Sequence, residues 1–207
     1  MSSLHIIDHP IIRQRLTVVR SAESDTTAFR MAMHDIARLM VFEVTKDFET
    51  KTTSVETPLT ETDGAALARP IVLVPILRAG VGLMQGFSEI LPEAAIGYVG
   101  LYRDEDTLEP QTYYCNMPPQ LDVAEVIVID PMLATGNSAA DAIDKVKAEG
   151  AKQIRFVCLI AAPEGVESLQ QKHPEIPIYC ASLDECLNEK AYIVPGLGDA
   201  GDRYFGT

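Results

Sequence analysis

The sequence predicts an α/β fold in which a mainly parallel sheet is flanked by helices. Three observations carry that expectation. The apolar runs Ile71 to Leu77, Ala94 to Leu101, Val126 to Ile129, Gln153 to Ala161 and Ile176 to Ala181 have the length of strands buried on both faces. Helix-compatible segments separate several of them, giving strand, helix, strand in repetition. A chain of 207 residues, 47% of them hydrophobic, is also long enough to fold around one large core, so residues 1–207 read as a single domain.

In chain order, Met1 to Arg20 mixes His, Asp and Arg with aliphatics and lacks the apolar centre and small-residue cleavage site of a signal peptide. A cytoplasmic location is expected. Ile6-Ile7 is strand-like, and with Pro10 it disfavours a helical metal pair from His5 and His9; His34 and His173 sit in polar helical settings. Asp25 is an N-cap for a helix reaching towards Phe48, with Phe29, Met33, Ile36, Ala37, Met40 and Val44 on its packing face. A polar, Thr-rich stretch runs from Glu49 to Thr62. Gly82 to Ile90, Ser138 to Glu149 and Glu164 to Lys172 are the further helices. Arg103 to Pro119, rich in charge and proline, breaks the periodicity and reads as a mobile flap over a site. The last stretch, Tyr192 to Thr207, holds too many glycines, with a proline, to form a regular helix.

A formal charge of −13 opposes any broad grip on nucleic acid or an anionic membrane, and the apolar runs are far short of the ~20 residues that span a bilayer. Cys115, Cys158, Cys180 and Cys186 form no C-x-x-C pair and have no histidine at zinc-ligand spacing, so reduced thiols and no structural metal are expected.

In parallel α/β sheets ligands bind beyond the carboxyl ends of the strands, which directs attention to the junctions. Val126-Ile-Val-Ile-Asp130-Pro-Met-Leu-Ala-Thr135-Gly-Asn-Ser138 ends a buried strand in a carboxylate and leads through small residues into a helix. Ser138 and Asp141 have capping-box spacing, and the open amides of Thr135 to Ser138 with the helix dipole suit a phosphate. The lysine and spacing of a P-loop are absent, which favours a monophosphate over a nucleoside triphosphate. A strand-end cap leading into an ordinary turn explains the same residues without a ligand. Arg78, after an apolar run, either finds a carboxylate or faces a cleft where its fork meets an anion. Gly80 and Gly82 serve either a ligand's close approach or packing. Gly196-Leu-Gly198-Asp-Ala-Gly201 spells G-x-G-x-x-G, but the few residues after Gly201 leave no room for the helix of a βαβ unit, so a dinucleotide site is disfavoured.

The segment around Asp130 resembles the phosphoribosyl-pyrophosphate (PRPP) motif of type I phosphoribosyltransferases. Its Asp130-Pro131 pair departs from that family's usual two acids and resembles the variant of the uracil phosphoribosyltransferases. Val74 to Leu83 and Tyr192 to Thr207 resemble the same family's pyrophosphate loop and uracil-binding C-terminus, so the likeness spans the chain.

The resemblance implies a type I phosphoribosyltransferase fold with a small hood and C-terminal β-arm elements, and an enzyme that makes uridine monophosphate (UMP) and pyrophosphate from uracil and PRPP in pyrimidine salvage. It implies that Arg78 and Arg103 bind pyrophosphate and that Asp130 holds the ribose. Pro131, Met132, Leu133, Ala134, Thr135, Gly136, Asn137 and Ser138 would bind PRPP, with Ala134 to Ser138 anchoring its 5-phosphate. Ile193, Gly198, Asp199 and Ala200 would contact uracil, with Asp199 also against PRPP; Arg78, Arg103, Asp130 and Asp199 would carry catalysis. Mg2+ would be held mainly through PRPP rather than by a protein metal site. Family members are commonly homo-oligomers, dimers or tetramers, and some are activated by guanosine triphosphate (GTP), which makes GTP a candidate allosteric activator. A phosphoribosyltransferase-fold regulator that binds RNA and senses nucleotides is the alternative, and the −13 charge argues against it.

Overall fold

The structure, a computed structural model, describes residues 3–103 and 110–207. Strands β1 (Leu4–Ile6), β4 (Ile71–Leu77), β6 (Tyr98–Arg103), β7 (Pro110–Asn116), β8 (Glu125–Ile129), β10 (Gln153–Ala161) and β11 (Ile178–Leu183) lie in the order β1-β11-β10-β8-β4-β6-β7. All neighbours in this path are parallel except β6 and β7. The two-residue strands β5 (Ala95–Ile96) and β9 (Met132–Leu133) pair with β4 and β10 off that path.

Alternate residues of each central strand feed opposite faces. Leu73, Ile127, Ile129, Val157, Leu159 and Tyr179 pack against α1 (Pro10–Arg20), α2 (Thr26–Thr45) and α3 (Gly80–Ile90). Val72, Val74, Val126, Val128, Phe156 and Cys158 pack against α4 (Asn137–Ala148) and α5 (Pro163–Lys172). This two-sided burial explains why the central strands lack alternation in sequence. Asp25 caps α2 as expected, accepting from the Ala28 amide at 2.7 Å.

The structure fills in stretches that the sequence left unassigned and corrects others. The N-terminal stretch contains α1, with His9 as N-cap and Pro10 in its first turn. The Thr-rich stretch is a hairpin of β2 (Thr50–Glu56) and β3 (Glu61–Leu67). Part of the expected flap is strand β7, antiparallel to β6; residues 104–109 and the side chain of Arg103 lie outside the described residues. The C-terminal stretch contains α6 (Ala200–Phe205), besides the short pair β12 (Cys186–Leu187) and β13 (Ile193–Val194). Its helix is brief enough to fit between Asp199 as N-cap and Gly206 as left-handed C-cap.

His173 keeps polar partners but is buried at the end of α5, 2.8 Å from Lys147 Nζ through Nδ1 and 3.3 Å from the Ala140 carbonyl through Nε2. All four cysteines are free thiols. Among the described residues, no helix is long and apolar enough to cross a membrane.

Candidate active site

β4 and β8 are adjacent, yet their chains leave in opposite directions. After β4 the chain passes through α3 towards β6, and after β8 it passes through α4 towards β10, so a crevice opens between the two strand ends. Arg78 and Asp130 are the residues that come directly after these strands.

Arg78 is 64% exposed at its side chain; its guanidinium stands 3.9 Å from Asp202 Oδ1 and 5.7 Å from the centre of the Phe205 ring. Both options left open by the sequence are therefore partly realised: a loose carboxylate partner, and a side chain facing a cleft. An exposed pair of this kind contributes about 0–1 kcal/mol, so an arriving anion displaces Asp202 at little cost.

Asp130 is half-buried. Its Oδ1 accepts from the Met132 amide at 3.3 Å. Burial, reinforced by the charge of Asp199, pushes its carboxyl up to about 7 against the opposing pull of that amide. Pro131 is stitched into β10, its carbonyl accepting from the amides of Leu159 (3.0 Å) and Ile160 (3.1 Å), and the Leu133 carbonyl accepts from Ala162 at 2.9 Å. Leu133 is buried in the core beneath α4 and does not line the cleft.

Gly136 turns the chain into α4 at φ 81°, a left-handed conformation that glycine adopts without strain. Among the described residues no side-chain hydrogen bond caps this helix, so the expected Ser138–Asp141 capping box is not formed; Asp141 Oδ2 instead accepts from Thr112 Oγ1 at 3.2 Å. The positive end of α4 is thus left for an anion near Thr135, Asn137 and Ser138. The glycines at the start of α3 serve packing rather than ligand approach. A Cβ on Gly80 would stand 2.5 Å from the Ile129 carbonyl, and one on Gly82 would stand 2.5 Å from the Tyr204 ring.

The C-terminal segment closes the crevice. Asp199 is exposed and caps α6, accepting from the Asp202 amide at 2.9 Å. Arg78, Ala79, Asp130, Pro131, Met132, Asp199, Ala200 and Gly201 line one cleft of 200 Å³. Of the predicted residues, Arg78, Asp130, Pro131, Met132, Asp199 and Ala200 therefore come together. Ala134 to Ser138 continue the same loop beyond the cleft's lining, Gly198 is exposed on the turn before Asp199, and Ile193 is buried in β13. A larger cavity of 740 Å³, between β1 and α2, contains none of the predicted residues.

Sequence reasoning missed a second set. Arg20 donates to both oxygens of Asp184, at 2.7 and 2.5 Å, and to the Gly196 carbonyl at 2.8 Å, while Arg203 donates to the Leu197 carbonyl at 2.7 Å. Asp184 comes directly after β11, the same carboxylate-after-apolar-run signal that singled out Asp130. Nothing in the sequence marks Arg20 or Arg203.

The chain as a whole also resembles known proteins. A family model described as uracil phosphoribosyltransferase matches residues 6–207. The chain is 51% identical to the uracil phosphoribosyltransferase of Ligilactobacillus salivarius over 208 residues, covering 100% of each protein. It superposes on the AQ2163 protein of Aquifex aeolicus with a TM-score of 0.94 at 34% identity, covering 99% of this chain and 98% of that one. A TM-score of 0.62 to the adenine phosphoribosyltransferase of Trypanosoma brucei, at 14% identity and covering 96% and 89% of the two chains, reflects the shared fold.

Proposed function

This chain belongs to the uracil phosphoribosyltransferase family, and from that premise we propose how its residues divide the work of joining uracil to the phosphoribosyl group of PRPP, with release of pyrophosphate. The observation that carries the reading is the single cleft in which the strand-end residues Arg78 and Asp130 meet the C-terminal residues Asp199 and Ala200.

Arg78, with Arg103, receives the pyrophosphate; the planar fork of Arg78 donates to two anionic oxygens at once as charge develops on the leaving group. The loop that leads into α4, from Ala134 through Ser138, takes the 5-phosphate, with Pro131 to Leu133 strapping that loop to β10. Anchoring so remote from the reacting carbon orients the sugar and turns a chance encounter into an aligned one. Asp130 accepts hydrogen bonds from the ribose hydroxyls. Backbone N–H and C=O groups at Ile193 and Gly198 to Ala200 match the donor and acceptor edge of uracil, while Asp199 lies towards the sugar. The new bond joins a ring nitrogen of uracil to ribose C1 as the bond from C1 to the pyrophosphate oxygen breaks, the electron pair of that bond leaving on pyrophosphate and the proton of the ring nitrogen passing to solvent.

Mg2+ fits the residues present. Asp130 and Asp199 are hard oxygen donors on the same cleft, and would add to a hold that PRPP itself mainly supplies. When bound the ion supplies positive charge to the leaving pyrophosphate. The same reading carries a cytoplasmic enzyme, a homo-oligomer of two or four chains, and GTP as an activator; sedimentation and activity titrated with GTP test the last two.

The direct test measures pyrophosphate release with PRPP, Mg2+ and, in parallel, uracil, cytosine, orotate or hypoxanthine. Release with uracil alone is expected. Release with another base would refute the assignment of residues 193–200 to the pyrimidine, and no release with any base would refute the activity.

A further inference from the structure

We propose that Arg20, Asp184 and Arg203 are positioning residues that fix the backbone of residues 196–198 and so set the affinity for the pyrimidine substrate. The inference rests on the reading that this turn presents the base-binding backbone groups.

Gly196 is held from both sides by one ion pair. Its amide donates to Asp184 Oδ2 at 2.9 Å, and its carbonyl accepts from Arg20 Nη1 at 2.8 Å. Arg20 and Asp184 are themselves joined through both carboxylate oxygens, and Ser182 Oγ completes the arrangement, donating to Asp184 Oδ1 at 2.8 Å and accepting from Arg20 Nη2 at 3.0 Å. The Asp184 side chain is 1% exposed. Burial alone would raise its carboxyl, but the hydrogen bonds from Arg20, Ser182 and the Gly196 amide, with the Arg20 charge, hold it below the usual carboxylate range.

The next residue is held by a second guanidinium. Arg203 donates to the Leu197 carbonyl at 2.7 Å and, through its remaining N–H groups, to the carbonyls of Val19 and Ser21 at the end of α1, the latter at 2.6 Å. Its face covers Phe29, 4.4 Å from the ring centre. Two arginines and a buried carboxylate thus tie consecutive peptide groups of an irregular turn to α1 and to the end of β11.

A buried ion pair that merely stabilised the fold could be aimed anywhere, and apolar residues of similar volume often do as well. Here the pair is spent on the amide and carbonyl of one loop residue, immediately before Leu197 and Gly198. Recognition by backbone groups has no side-chain rotamer with which to adjust, so the peptide planes must be held within about 0.5 Å. An apolar replacement could fill the space and would leave the planes free to rotate.

The experiment measures kcat and the separate KM values for uracil and PRPP in the full-length wild type, Asp184→Asn, Arg20→Lys, Ser182→Ala and Gly198→Ala. Asp184→Asn should raise KM for uracil about tenfold or more while KM for PRPP stays within about twofold, because a mispaired buried acceptor disturbs only this turn. Arg20→Lys, which keeps the charge and loses the fork, should fall between Asp184→Asn and Ser182→Ala. A purely structural role would lower kcat by reducing the active fraction and leave both KM values alone; that result, or a proportional rise in both, overturns the proposal. Should Asp184→Asn fail to fold, Arg20→Lys and Ser182→Ala decide by the same criterion. Gly198→Ala separates the two ways of failing. If it raises KM for uracil while the other variants do not, the clamp alone is wrong; if it too has no effect, the turn is not the base site.

Discussion

On one side of the cleft, residues 130–138 are held by main chain: Pro131 and Leu133 bond into β10 and its continuation, and Gly136 swings directly into α4. On the other side, residues 196–199 have no sheet or long helix to lean on, and side chains do the holding: Arg20 and Asp184 for Gly196, Arg203 for Leu197. The difference teaches where each side is vulnerable. A loop built from backbone tolerates many side-chain exchanges and fails where backbone conformation is special. A loop built from side chains fails when any one of a few charged groups is lost, because its partner is then stranded in a buried place.

The sharpest way to separate the cleft's chemistry from its scaffolding is Arg78→Ala. Arg78 belongs to neither support, being exposed and loosely paired with Asp202, so kcat/KM should fall about 10³-fold, some 4 kcal/mol, from loss of a charge-stabilising donor. Thermal unfolding should barely change. A large fall in melting temperature would mean that Arg78 props the crevice instead of reading its ligand.

Asp130→Asn probes the backbone-built side through pH. The carboxyl titrates at about 7 in the folded protein against a reference value of 3.8. Between those values the folded form holds the extra proton, so stability falls as pH rises through the window, and the whole loss is present above it. The Asn variant does not titrate there; in denaturant unfolding without ligand it should gain on the wild type from pH 4 to pH 7, then hold a constant lead of roughly 2–4 kcal/mol. A lead independent of pH would show that the carboxyl is ionised throughout.

Gly136→Ala tests the special backbone point. A Cβ at φ 81° would also stand 2.8 Å from the Gly165 carbonyl, and we expect a loss of about 1–3 kcal/mol in stability with KM rising for PRPP but not for uracil. A rise for uracil alone would invert the assignment of the two sides. The smallest effect should come from Asp25→Ala, which removes the cap of α2 and belongs to neither loop: about 1 kcal/mol of stability and no change in either KM. A shift in one KM would mean that α2 transmits to the cleft, through its packing on α6.

The same contrast governs what could be read before the structure. The central strands and α4 are contiguous runs whose burial is written locally, and Arg78 and Asp130 stand out because a charge ends an apolar stretch. The helix α6 was hidden by glycines that turn out to flank or pack it, with Asp199 and Gly206 as its caps. The hairpin of β2 and β3 faces water so widely that no alternation marks it. Arg20 was illegible for another reason: its partners Asp184 and Gly196 lie 164 and 176 positions away, and no spacing rule operates over such a distance.

The bond from Arg203 to the Val19 carbonyl also fixes a moment in the life of each molecule. Chains grow from the amino end at about 5–20 residues per second, so α1 and the early strands emerge and begin to pack well before Arg203 has been made. On the proposed assignment, a nascent chain can present the phosphate loop before the opposite wall of the cleft has been fastened. Selective binding of the base would then wait for Arg203, and a chain stopped short of it would carry half a site.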